Sequence, residues 1–146
     1  MKAKNYIKME FPSRSANEGF ARAAAACFAA QLDPTLEEIG DIKTAVSEAV
    51  TNCIVHAYPS AIGKISLRAQ YTDDGLLEIV VKDCGCGIED IERAREPLFT
   101  TGGEERSGMG FTIMESFMDK LRVRSNPGKG TTLTMTRRIS VREKLR

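Results

Sequence analysis

Between Asp33 and Tyr58 the apolar residues Leu36, Ile39, Ile42, Val46, Ala49, Val50, Cys53 and Ile54 recur at steps of mostly three and four. Only an α-helix gathers such a series on one side, so this segment must lay a stripe of side chains on a core. Asp33 is expected as the N-cap and Pro34 as the first helical residue, with the end near Tyr58-Pro59. The polar side carries Glu48, Asn52 and His56, spaced by four. Glu48 and Asn52 therefore present a carboxylate and an amide oxygen together. A hard cation such as Mg²⁺ takes oxygen ligands and keeps waters, with phosphates supplying the rest. The carboxylate can orient or deprotonate a nucleophile. Taken alone, a solvated polar helix edge has the same pattern. His56, the one histidine, is read as structural.

Around this helix the chain alternates. Ile7, Met9 and Phe11 mark a half-buried strand. Ser15 and Glu18 have the spacing of a capping box ahead of an alanine-rich helix that runs to about Gln31. Ile65 to Tyr71 and Leu77 to Val81 read as a hairpin turning at Asp73-Asp74-Gly75. A short helix is expected from Glu89 to Arg95, then a polar, aperiodic loop from Glu96 to Gly110, then a helix from Phe111 to Met118. Leu121 to Ser125 and Thr131 to Ile139 read as strands joined at Asn126-Pro127-Gly128-Lys129-Gly130, and the tail from Val141 to Arg146 as frayed. The order predicts an α+β two-layer sandwich, with helices on one face of a mixed sheet. One domain over residues 1–146, without repeat or linker, is expected.

Composition narrows the function. The 21 basic and 20 acidic residues leave a net charge of +1, which argues against direct nucleic-acid binding. No apolar run is long enough for a bilayer and no apolar segment follows Lys2 and Lys4, so a cytoplasmic protein is expected. Cys27, Cys53, Cys84 and Cys86 have neither disulfide-framework nor zinc-site spacing and are read as space-filling thiols.

Glycine marks three further places. Asp83-Cys84-Gly85-Cys86-Gly87 follows an apolar strand, where glycines admit a ligand to the backbone and a fixed carboxylate can accept from a base amine. Gly108-Met109-Gly110 opens the helix at Phe111, and helix N-termini favour phosphate. Arg106 stands just before it, placed to meet a terminal phosphate. Gly130-Thr131-Thr132 begins the last strand, with hydroxyls for a base or a water. An ordinary turn, a flexible glycine loop and a strand threonine account for each singly. The Walker pattern is absent. The order of the set is what points to ATP.

With that order in place, the chain resembles the ATPase and kinase superfamily of gyrase, Hsp90, histidine kinases and MutL, with its Bergerat ATP-binding fold. The resemblance covers nearly the whole chain and is closest to the anti-sigma factor serine kinases, the sporulation anti-sigma F group among them. It is carried by Ser47-Glu48-Ala49-Val50-Thr51-Asn52, by Pro97-Leu98-Phe99-Thr100-Thr101 and by the run from Glu105 through Arg106, Ser107, Gly108, Met109 and Gly110 to Glu115. It implies that Asn52 holds Mg²⁺ and that Glu48 is the base on a serine hydroxyl. It implies that Asp83 binds adenine with Thr131 or Thr132 nearby, and that Gly85, Gly87, Gly108 and Gly110 shape the pocket. The segment from Thr100 and Thr101 to Ser107 would be the lid over ATP. The implied partners are an anti-anti-sigma protein, phosphorylated on serine, and a sigma factor, sequestered by an ATP-bound homodimer. Glu18 and Arg22 on the first helix are the implied partner contacts. Two departures are small: Ala57 stands where glycine is common, and Cys84 and Cys86 fill variable positions. Two other functions suit the same residues. One is an ATP-gated binding module without kinase activity, and the other a detached histidine kinase catalytic domain.

Overall fold

In the computed structural model, residues 2–88, 91, 95 and 110–140 are described. The alternating segments become β1 (Asn5–Pro12), β2 (Lys64–Tyr71), β3 (Leu76–Asp83), β4 (Lys120–Asn126) and β5 (Gly130–Arg138). They form one sheet in the order β1-β2-β3-β5-β4. Every neighbouring pair is antiparallel, which corrects the expected mixed sheet. β3 and β4 do run the same way. However, β4 takes the edge, and the tight turn after Asn126 sends β5 back between them.

Register explains the core. The rows Ile7–Ala69–Ile79–Met135–Leu121 and Met9–Leu67–Val81–Leu133–Val123 cross all five strands on one face. That face belongs to a single apolar cluster with the helices. The helices are α1 (Ala16–Ala29), α2 (Leu36–Asn52) and α3 (Gly110–Phe117), and α2 packs against both of the others. Ala21 and Ala25 of α1, with Ala45 and Ala49 of α2, are fully buried. These small side chains fill the helix layer without holding the backbones apart. α2 continues through a π-helical turn, Cys53–Ala57. Arg137 of β5 pairs with Asp41 of α2 at 2.6 Å. It also donates to the carbonyl of Phe117, the last residue of α3.

The first helix starts directly after Ser15 as expected but without the capping box, and the start of the second needs correction. Ser15 has helical angles, φ −57° and ψ −31°, and its side chain makes no cap bond. Glu18 faces α2 instead, where its carboxylate accepts from the Ser47 hydroxyl and pairs with Arg22 at 3.5 Å. Asp33 is left-handed, with φ 53°, because it ends the 3-10 turn Ala30–Leu32 and reverses the chain. The N-cap of α2 is Thr35, and Pro34 lies outside the helix. The Thr35 hydroxyl accepts from Glu38 N–H at 3.0 Å, and Glu38 accepts from Thr35 N–H at 2.8 Å. That is a complete capping box. Of the expected short helix from Glu89 to Arg95 only its third and last residues are described. Arg95 N–H donates to the Ile91 carbonyl at 3.1 Å, the spacing of a helical turn. Of the expected loop from Glu96 to Gly110 only Gly110 is described, and it is the first residue of α3; the tail 141–146 lies outside the described residues. No helix among the described residues is long and apolar enough to cross a membrane.

Glu38 does more than cap. Its second oxygen accepts from Ser140 N–H at 2.9 Å and from the Ser140 hydroxyl at 3.0 Å, tying α2 to the end of the sheet. Burial is the largest single influence on this carboxyl and pushes its pKa up. The bonds from Thr35 and Ser140 together outweigh it and leave the group below the ordinary 4.5. A pKa lowered by folding stabilises above the ordinary value, and that contribution is lost as pH falls through the folded value. Glu38→Ala should cost about 1–3 kcal/mol near neutral pH. In urea denaturation at a series of pH values, the gap to wild type should shrink as pH drops below 4.5.

Candidate functional site

β3 ends on Asp83, which alternation points the same way as Leu77, Ile79 and Val81. Here the apolar rows give way to the row Phe11–Ile65–Asp83–Thr131–Ser125, polar over its last three strands. Asp83 is 4% exposed, and its Oδ1 accepts from Gly85 N–H at 3.0 Å and Thr131 N–H at 3.1 Å. The Cys53 thiol hydrogen-bonds the same carboxylate from the end of α2. Burial first, then the Asp83 charge, pushes that thiol well above its ordinary 9.0, so it remains protonated at neutral pH. Ser125 completes the corner. Its hydroxyl lies 2.8 Å from that of Thr131 and 3.0 Å from the Gly130 carbonyl, and accepts from Ile88 N–H at 2.8 Å. Thr132 is not brought here. It pairs with Lys82 and Arg124 on the opposite face of the sheet.

The turn after Asp83 rests on the end of α2. A side chain on Gly85 would put its first carbon 2.2 Å from the Ala57 carbonyl oxygen, which explains glycine there without appeal to φ. Gly87 has φ 76°, a conformation that suits glycine, and its Cα lies against the Asn126 carbonyl.

On the other side of the site, Glu48 and Asn52 are half-buried, one turn apart on α2. They converge on the first residue of α3. A Cβ at Gly110 would lie 3.2 Å from Asn52 Oδ1, 3.3 Å from its Nδ2 and 3.4 Å from Glu48 Oε2. Glycine thus lets the amide end of α3 come against a carboxylate and an amide oxygen. Thr100, Thr101, Arg106, Ser107, Gly108 and Met109 lie outside the described residues. Glu18 and Arg22 are on α1, not in this group, although Glu18 reaches Ser47, the neighbour of Glu48.

The arrangement joins two chemistries on one framework. Asp83 offers a buried carboxylate with one oxygen already saturated by backbone. Asn52 and Glu48 offer oxygen ligands and a base beside a helix start. Among the described residues no cluster of three or more His, Cys, Asp or Glu could hold a metal by itself. A neutral amide plus phosphate oxygens is the donor set that suits Mg²⁺. Sequence spacing marks Cys53 as core, Tyr58 as a helix end and Ser125 as a strand end, and none of them as a site residue. Only register and the π turn bring them beside Asp83.

Gly85→Ala should destabilise by about 1–3 kcal/mol, seen as a lowered Tm, because backbone must shift to admit the methyl. Only Cys53 fills space as expected of all four cysteines; Cys27, Cys84 and Cys86 are exposed, so a thiol reagent at neutral pH should modify those three in the native protein and reach Cys53 only after denaturation.

The geometry agrees with what known proteins resemble the chain. The family described as a histidine kinase-like ATPase domain matches residues 11–137. An anti-sigma F factor from Caldanaerobacter subterraneus subsp. tengcongensis is 59% identical over 140 residues, 95% of this chain and 97% of that one. The anti-sigma F factor of Pasteuria penetrans is 54% identical, covering 93% and 92%. That of Geobacillus kaustophilus is 52% identical, covering 94% of each. Among solved structures, the RsbU and RsbW domains of a Mycobacterium tuberculosis protein superpose with a TM-score of 0.69 at 22% identity, over 95% of this chain and 34% of that one. A histidine kinase domain from Erythrobacter litoralis gives 0.58 at 24%, over 84% and 61%. These two speak for the fold alone. With a family match from Phe11 to Arg137 and relatives above 50% identity along nearly its whole length, the chain belongs to the histidine kinase-like ATPase family and groups there with the anti-sigma F factors.

Proposed function

We propose that the chain is an ATP-dependent protein serine kinase and anti-sigma factor. It binds Mg-ATP between α2, the Asp83 turn and the start of α3, phosphorylates a serine of an anti-anti-sigma protein, and sequesters a sporulation sigma factor. The observation that carries the catalytic half is the convergence of Glu48 and Asn52 on Gly110. The sigma partner rests on the relatives' name, anti-sigma F factor.

Asn52 would hold Mg²⁺, whose role when bound is to neutralise charge on the phosphates. Asp83 accepts from the exocyclic amine of adenine, with Thr131 beside it, while Gly85 and Gly87 let the base approach. Gly110 with Gly108 and Met109 supplies backbone N–H groups to phosphate, and Arg106 meets the terminal one. Thr100, Thr101 and Ser107 belong to the lid. Glu48 takes the proton of the incoming serine hydroxyl as phosphoryl transfer proceeds. A homodimer presents Glu18 and Arg22 of α1 to the protein partners, in the cytoplasm.

Incubation with ATP, Mg²⁺ and the candidate anti-anti-sigma protein should yield acid-stable phosphoserine. Glu48→Gln should slow transfer about 10²- to 10⁴-fold while ATP still binds. Transfer at the wild-type rate would sink the base assignment. Asn52→Ala should lose the Mg²⁺-dependent part of ATP affinity, measured by calorimetry with and without the ion. ATP-dependent capture of a sigma factor without phosphoserine would favour the ATP-gated binding module, and acid-labile phosphate a histidine kinase domain.

A further inference from the structure

The turn 84–87 has left the sheet and two of its four residues are glycine, so contacts from outside must hold it. Its donors are taken up one after another. Gly85 N–H goes back to Asp83. Cys86 N–H goes to the Ala57 carbonyl at 3.1 Å, and the Cys86 thiol to the His56 carbonyl at 3.0 Å. Cys84 N–H goes to the phenol oxygen of Tyr58 at 2.7 Å. That hydroxyl donates in turn to the Lys64 carbonyl at 2.7 Å, at the start of β2.

Tyr58 is itself firmly seated. Its ring lies over Gly63, where a Cβ would come 2.1 Å from ring carbon Cε1. Gly63 exchanges hydrogen bonds with buried Ser13, N–H to hydroxyl at 2.9 Å and Ser13 N–H to carbonyl at 2.8 Å. Tyr58 also follows directly on the π turn that ends α2. It is therefore covalently joined to the helix of Glu48 and Asn52 and hydrogen-bonded to the turn of Asp83.

We propose that Tyr58 is a positioning residue for base recognition. Through Cys84 N–H it sets the placement of the Asp83–Gly85 turn, and so the point where the Asp83 carboxylate meets an exocyclic amine. This rests on the reading of the site as one for ATP. A carboxylate attracts the 6-amino group of adenine and repels the 6-oxo group of guanine. Displacing the turn therefore costs discrimination between bases, whereas the phosphate contacts at Asn52 and α3 stay in place. Burial, the largest influence on the phenol, raises its pKa, so the hydroxyl remains a donor at neutral pH.

The test uses the full chain and titrates Mg-ATP and Mg-GTP into wild type and Tyr58→Phe, which keeps the ring and removes the hydroxyl. ATP affinity should fall about 3- to 10-fold with GTP affinity unchanged, so the ATP/GTP ratio falls by that factor. Gly63→Ala, which displaces the ring and keeps the hydroxyl, should lower the ratio in the same direction. In the nucleotide-free protein, amide exchange at Cys84 and Gly85 should quicken in Tyr58→Phe. A merely structural role would weaken both nucleotides equally or lower Tm alone. An unchanged ratio in Tyr58→Phe overturns the proposal and leaves the ATP reading standing. Failure of the unmutated chain to bind ATP, or to prefer it, overturns that reading and this inference with it.

Discussion

The rotational setting of α2 on the sheet is the constraint from which the site follows. Glu38, Ile42, Ala45, Val46, Ala49 and Val50 are its buried residues. Burying a valine or isoleucine stabilises by roughly 1.5–3 kcal/mol, so turning the helix by one residue would forfeit several such contributions. A hydrogen bond at the site is worth about 1 kcal/mol net. The core therefore sets the helix, and Glu48 and Asn52 can only point toward α3. The same setting brings Cys53, on the buried side, under Asp83.

What could be read from the sequence was what depends on period. The stripe from Ile39 to Ile54, the hairpin from Ile65 to Val81 and the strand at Ile7 all appear where alternation or helical spacing places them, but Leu36, expected to open the stripe, is 93% exposed and lies off the core. What failed depends on a distant partner. Ser15 and Glu18 have capping spacing, but Ser47, 29 residues further on, takes the Glu18 carboxylate. Asp33-Pro34 looks like a helix start, but the chain reversal claims Asp33, while the true box, Thr35 with Glu38, stood two residues later. Strand direction could not be read either, since nothing local tells β5 to enter between β3 and β4.

The site divides in the same way. Glu48 and Asn52 were legible because four residues make one helical turn. Gly85 was legible as a place of close approach, although its neighbour, the Ala57 carbonyl, was not. Thr131 and Thr132 were indistinguishable until the register set one beside Asp83 and the other on the far face. Tyr58 and Ser125 carry no motif. Their hydroxyls matter because of backbone groups 26 residues away in one case and 37 in the other.

Arg137 has a mechanical consequence. Its guanidinium holds the Phe117 end of α3 to Asp41 of α2, while the Gly110 end meets Glu48 and Asn52 without a side chain of its own. Between those ends Met114 is fully buried and Glu115 pairs with Arg95, so the helix is held along its length. Eight residues at 1.5 Å each make roughly 12 Å, and α3 therefore couples the Arg137 contact to the Gly110 contact as one stiff strut.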